Sequence, residues 1–348
     1  MDSKPRGNHD GRGVFFLYAV RPLRLTPSFL FPIFLRGYKK RMDPMSKQVI
    51  KTESGLKSTR WIESIYTYGR MIKFSHTIFA LPFALVTIIL VQRQYVIQTA
   101  DIGWVILAMV GARSAAMGFN RVVDARMDEK NPRTCMREIP NGSISSAAAW
   151  FFVVISSAGF LFAAGMLGRR CTYLAIPILA ILFSYSYAKR FTWLSHLYLG
   201  FAISLAPWGT WIALSKSFFG PIWLLSVALL TYIAGFDILY ACQDIDFDRK
   251  EGLHSIPATF GPRRALQIAS ALHVIAFIAF AAIFPVFKMN MAYLVTLVMI
   301  GLLLVVEHRI VRPDDFSRVN VAFFYMNSLV SMVLFLGVLM DEILRRQV

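Results

Sequence analysis

The sequence predicts an all-α fold, a polytopic membrane bundle, on three observations. Apolar blocks of about 20 residues recur from residue 71 to the C-terminus, and about 20 is the length an α-helix needs to cross a bilayer core of about 30 Å. Charged residues make up only 16% of the chain, against roughly 25% in soluble domains. Hydrophobic residues make up 56%, and mean hydropathy is +0.54.

Nine spans follow from these blocks, at about 71–92, 102–122, 148–167, 172–188, 197–215, 221–241, 265–286, 290–307 and 320–340. Residues 1–60 read as a basic N-terminal extension ahead of a transmembrane domain over 61–348. VFFLYAV in that extension is too short to span, and LTPSFLFPIFL is broken by Pro27 and Pro32. Nine Lys or Arg against two acidic residues up to Met42 suit a cleaved organelle presequence. Met42 or Met45 are alternative starts.

The formal charge of +17 does not point to nucleic acid. Basic residues lie in the tail and in alternate loops, without the basic stripe or recognition helix such a partner needs. Lipid headgroups and diphosphate are the better partners. With the N-terminus cytoplasmic, the loops near 121–147, 189–196, 242–264 and 308–319 carry 14 Lys or Arg, and the opposite side carries 7. That bias follows the positive-inside rule. The two longest cytoplasmic loops follow the second and sixth spans, so spans 1–4 and 5–8 have the spacing of parallel repeats. Cys135, Cys171 and Cys242 are far apart in sequence with no CxxC pair, which gives neither a disulfide framework nor a zinc site.

Two acidic clusters carry the chemistry. Asn120, Asp124 and Asp128 are four residues apart and share one helical face. Asp237, Asp244 and Asp248 fall at offsets 0, 7 and 11, again nearly one face, with Asp246 opposite. Lone Asp residues at loop edges sit in headgroup water, but two clusters in helical register on one side of the membrane would repel without cations between them. Mg2+ fits, because it binds through a few carboxylates together with phosphate oxygens. No Ser/His/Asp or Cys/His arrangement offers a nucleophile. A secondary transporter, the rival class, would carry broken helices and charges at mid-membrane, whereas these acids gather at one mouth.

The motifs N-x-x-x-D-x-x-x-D and D-x-x-x-D in this order resemble the UbiA superfamily of intramembrane prenyltransferases, over roughly residues 65–340. FNRVVDARMDEKNPRT, REIPNGSIS, SYSYAKRFTWLSHLYLG and DILYACQDIDFDRKEGLHSIPATFG extend the resemblance, toward the branch acting on 4-hydroxybenzoate. Arg121 stands where many members have Asp, a change common in the aromatic-acid branch. The resemblance implies about nine transmembrane helices around a central cavity, with the acidic motifs at its cytoplasmic mouth. It implies Mg2+ ions bridging Asn120, Asp124, Asp128, Asp244 and Asp248 to a polyprenyl diphosphate, which ionises so that an aromatic ring carbon attacks. Asp124, Asp128, Asp244 and Asp248 would be the catalytic acids. Lys73, Arg137 and Lys189 would clamp the diphosphate, and Tyr185 and Lys189 match the family's Y-x-x-x-K motif. The expected acceptor is an aromatic acid such as 4-hydroxybenzoate, in quinone biosynthesis at a bacterial inner membrane. A naphthoate-type menaquinone enzyme is the alternative within the family.

Arg113 lies inside the second span, seven residues before Asn120 and on its face. A guanidinium there needs a partner, and its planar fork suits a carboxylate. The acceptor's carboxylate, with Tyr185 and Ser186 nearby, is one expectation; an ion pair with an Asp of the bundle, such as Asp237, is the other. The histidines, Arg133 and the Trp and Phe stripes read as anchors or packing, and Met117 as core or as wall of a lipid-chain tunnel.

Overall fold

The computed structural model describes residues 63–73, 77–313, 315, 316, 319 and 325–347. The extension over 1–60, with its alternative starts, lies outside the described residues. A short helix α1 covers 63–71. The others are α2 (Thr77–Gln92), α3 (Thr99–Lys130), α4 (Ser146–Leu167), α5 (Arg169–Ala188), α6 (Ser195–Ser215) and α7 (Trp223–Ala241). The chain continues with α8 (Ile245–Lys250), α9 (Ile256–Phe260), α10 (Pro262–Val286), α11 (Met291–Ile310) and α12 (Asn327–Gln347). Among the described residues, eight helices are long and apolar enough to span, and Leu81–Gln92 forms a shorter apolar one. The protein is an integral membrane protein.

Large apolar side chains on the outer faces confirm what surrounds them. Phe151, Phe162, Tyr173, Ile176, Ile278, Val298 and Leu302 are all exposed. In water such a surface would be an association patch; in lipid it is the ordinary outside of a bundle. Inward, Phe83, Leu90, Trp211, Leu225, Tyr232, Phe280, Tyr293 and Leu334 form the main buried cluster between α2, α6, α7, α10, α11 and α12. Glycine lets two pairs of helices approach closely. A Cβ at Gly111 would lie 2.8 Å from the Phe160 backbone nitrogen, so α3 can rest directly on α4. Gly200 of α6 lies against the Leu230 carbonyl of α7 in the same way.

Three boundaries differ from the sequence reading. The first span does not start at 71, because α1 ends there and Lys73 takes a left-handed φ of 47°. Lys73 therefore sits in a turn and not in the opening of a helix. The second helix is longer than expected: α3 has 32 residues, about 48 Å at 1.5 Å per residue, so its acidic end projects past the hydrocarbon. The last helix runs to Gln347 instead of ending near 340. Arg345 and Arg346 both pair with Glu342 at 2.7 and 2.8 Å, one turn back, and sustain the extra turn.

Opposite the acidic ends, Arg93 joins three elements. Its guanidinium reaches Asp341 at 2.8 Å, Glu342 at 3.0 Å and the Phe287 carbonyl at 2.7 Å. Asp341 also accepts from the backbone N–H of Asn290 at 2.8 Å and of Tyr293 at 3.3 Å. The end of α2, the α10–α11 turn and α12 are thereby tied together.

The loop charges predict which ends of the helices share a side. Cysteines introduced near residues 130 and 250 are expected to react with an impermeant thiol reagent from the cytoplasmic side only, and one near 218 from the other side only. Labelling of 130 and 250 from opposite sides would rule out a shared mouth.

Candidate active site

The acidic end of α3 and the segment after α7 line one cavity, with about 1660 Å³ of empty space including its open mouth. All the sequence-nominated residues meet there: Asn120, Asp124 and Asp128 from α3; Asp244 and Asp248; Lys73, Arg137 and Lys189; and Arg113, Tyr185 and Ser186. Asp237, Asp244 and Asp248 do not lie on one unbroken helix. A tight 3-10 turn over Cys242–Asp244 separates α7 from α8. The register survives: Asp248 is buried, and Asp246 points out to solvent as expected.

Each carboxylate is held by a donor from another element. Asp124 is 3% exposed; it pairs with Lys189 at 3.1 Å and Arg190 at 3.3 Å, and accepts from the Asn120 amide at 3.0 Å. Arg137 brings one nitrogen to within 2.7 Å of both oxygens of Asp128. Arg133 makes a two-nitrogen contact with Asp244, one arm at 2.9 Å, and donates to the Tyr240 hydroxyl at 2.6 Å. Asn131 also donates to Asp244, at 3.2 Å. Ser255 donates to Asp248 at 2.7 Å while its oxygen caps α9 through the Ala258 N–H. Lys130 and Glu251, 2.7 Å apart, clasp the two loops that carry these groups.

Arg133 therefore belongs to the site and is not an anchor. Arg190, Asn131, Tyr240 and Ser255 join it there. The available signal was the run of basic residues directly after each motif, in EKNPRT and in KR after Y-x-x-x. Arg121 is only 4% exposed and donates from Nε to the Met71 carbonyl at 3.0 Å. It caps the C-terminal end of α1, where a cation is favoured. Lys73, in its turn over the Tyr240 ring, has an ammonium lowered to about 7 by burial first and then by the guanidinium groups of Arg121, Arg137 and Arg133. An anion at the mouth would favour its charged form.

Behind the mouth lies a second, apolar chamber of about 1150 Å³, lined by residues such as Met109, Ala112, Phe160, Leu174, Ile178 and Ala206. Arg113, Met117, Tyr185, Leu199 and Ile203 line both spaces and mark their junction. Asp237 also faces the cavity, and its carboxylate is paired with His196 at 2.7 Å.

A membrane-embedded bundle with interleaved acids and bases at a polar mouth, and a lipophilic chamber behind it, is the architecture of an enzyme that handles a lipid diphosphate. Residues 80–329 match the UbiA prenyltransferase family, and the chain belongs to it. It is a prenyltransferase, an enzyme of prenyl transfer from a prenyl diphosphate. The 4-hydroxybenzoate octaprenyltransferase of Vibrio atlanticus is 29% identical over 213 residues, covering 60% of this chain and 74% of that relative. A UbiA homolog from Aeropyrum pernix superposes with a TM-score of 0.71 at 33% identity, covering 77% of this chain and 98% of that one. A UbiA homolog from Archaeoglobus fulgidus, solved bound to GPP and Mg2+, has a TM-score of 0.60 at 18% identity, covering 78% and 99%. The last likeness is one of fold.

Proposed function

We propose that this enzyme, through its 61–348 domain, transfers a polyprenyl chain to an aromatic acid, with 4-hydroxybenzoate as the acceptor that fits best. The mouth faces the cytoplasm of a bacterial inner membrane. The observation that carries this reading is the order of groups along one cavity: acids and bases at the rim, then Arg113, then the apolar chamber.

The donor set fits Mg2+. Asn120, Asp124, Asp128, Asp244 and Asp248 supply only oxygen ligands from two facing segments, as a hard cation requires. When bound, Mg2+ supplies charge stabilisation to the leaving diphosphate. Arg137, Arg133, Lys189, Arg190 and Lys73 gather positive charge at the same mouth. The first four, now paired with the carboxylates, can turn to the diphosphate oxygens, and charge so placed is the main source of rate in a reaction of this type. The apolar chamber takes the prenyl tail and keeps water from the allylic carbon. Arg113 sits seven residues, about 10 Å, below the rim on α3, where it holds the acceptor's carboxylate beside Tyr185 and Ser186.

The test is to incubate purified membranes with polyprenyl diphosphate and a panel of hydroxybenzoates and hydroxynaphthoates, and to identify the product by mass. A prenylated 4-hydroxybenzoate is expected, and a naphthoate product alone would move the assignment to the menaquinone-type reaction. In the same assay Arg113→Leu is expected to raise the aromatic KM about 100-fold and leave the prenyl diphosphate KM nearly unchanged, the loss of a charge-assisted bidentate contact. Equal rises in both would make Arg113 structural.

A further inference from the structure

His196 is a lone histidine at the start of α6, 4% exposed, and nothing in the reaction as described so far uses it. Its two ring nitrogens have opposite duties. The backbone N–H of Ile256 points at Nε2 from 3.3 Å, and a backbone amide can only donate, so Nε2 must be the bare, accepting nitrogen. The proton is then on Nδ1, which lies 2.7 Å from Oδ2 of Asp237. The imidazole thus donates through Nδ1 to the carboxylate, with the tautomer set by the main chain. The Asp237 side chain is 29% exposed and lines the cavity, so its second oxygen remains for a ligand.

The position of this carboxylate is informative. Arg113, on α3, lines the mouth cavity and the apolar chamber behind it, and Asp237, on α7, lines the same mouth cavity. One wall offers a cation and the other an anion. A ring with a carboxylate at one end and a hydroxyl at the other satisfies both.

We propose that Asp237, held by His196, is the base that takes the hydroxyl proton of the aromatic acceptor, and that with Arg113 it selects para-hydroxy aromatic acids. The proposal rests on the aromatic-acid reading above. As the ring carbon next to the hydroxyl bonds to the first carbon of the prenyl chain, the carbon–oxygen bond to diphosphate breaks and its electron pair leaves with the diphosphate. The hydroxyl proton passes to Asp237, and the ring becomes a dienone. The hydrogen on the newly substituted carbon then leaves as a proton to a diphosphate oxygen, while Asp237 returns its proton to the ring oxygen. One proton is released overall. His196 touches no reacting atom; it is a positioning residue, keeping the Asp237 carboxylate oriented.

The experiment uses the full-length enzyme with Mg2+ and polyprenyl diphosphate. It compares 4-hydroxybenzoate with 3-fluoro-4-hydroxybenzoate, whose hydroxyl is more acidic. Asp237→Asn is expected to lower kcat about 100-fold, the lower end for loss of a general base, without changing the prenyl diphosphate KM. The loss should shrink severalfold with the fluorinated acceptor. His196→Ala should lose about tenfold on the same basis, and His196→Gln, whose amide can still donate, should recover most of it. Undiminished kcat in Asp237→Asn, or the same loss with both acceptors, overturns the proposal. If Asp237→Asn does not fold, the His196 pair decides by the same acceptor comparison. A wild-type enzyme that prenylates neither acid overturns the acceptor reading itself, and this inference falls with it.

Discussion

Asp124→Ala and Asp244→Ala are each expected to lower kcat by about 1000-fold, at the upper end for removing one preorganised charge contact. Neither change should unfold the protein. The partners left behind, Lys189, Arg190 and Arg133, are 35%, 32% and 29% exposed, so water at the mouth can solvate them. EDTA is expected to abolish turnover of the unmodified enzyme and added Mg2+ to restore it. Asp246→Ala is the control: its side chain points out of the cavity, and activity should stay within a factor of two or so of the unmodified enzyme, as for a surface substitution. Full activity in chelator would exclude the acids as metal ligands.

The second large effect is on stability. Arg93→Leu is expected to destabilise the bundle by about 3–5 kcal/mol, the cost of leaving a buried charge without its partner. Arg93 and Asp341 have side chains only 6% and 0% exposed, so neither charge can turn to water. Glu342 keeps Arg345 and Arg346, and the penalty falls mainly on Asp341. Unfolding by denaturant in detergent measures it. Arg93→Leu combined with Asp341→Leu should lose clearly less than the two single changes added together. Additive losses would mean that the contact is not energetically coupled.

Much of the fold is legible in sequence because a bilayer imposes one strong period: an apolar block of about 20 residues between polar breaks. Helix ends are less legible, since they depend on contacts distant in sequence. The local pairs of Glu342 with Arg345 and Arg346 favour one more turn of α12, but only the distant Arg93, just past α2, anchors that turn. The acids were readable because they sit on helices, where spacing is geometry. Their cationic partners were only half readable. Arg133 and Arg137 both follow the first motif in one loop, where residue spacing carries no direction; that Arg133 reaches across to Asp244 while Arg137 turns back to Asp128 was not legible. His196 carried no signal at all, because its meaning lies in an amide 60 residues away.

The ion pairs at the mouth have a consequence for how the substrate is taken up. If Mg2+ bound at these acids, Asp128 would turn toward it by loosening its contact with Arg137, and Asp124 by loosening those with Lys189 and Arg190. Each base so released would gain a free hand for an oxygen of the diphosphate. Cation and diphosphate would then each remove an obstacle to the other, and linkage would require both to bind more tightly together than either does alone, by the same factor in each direction. After transfer the same exchange would run backward, as acids and bases close on one another again.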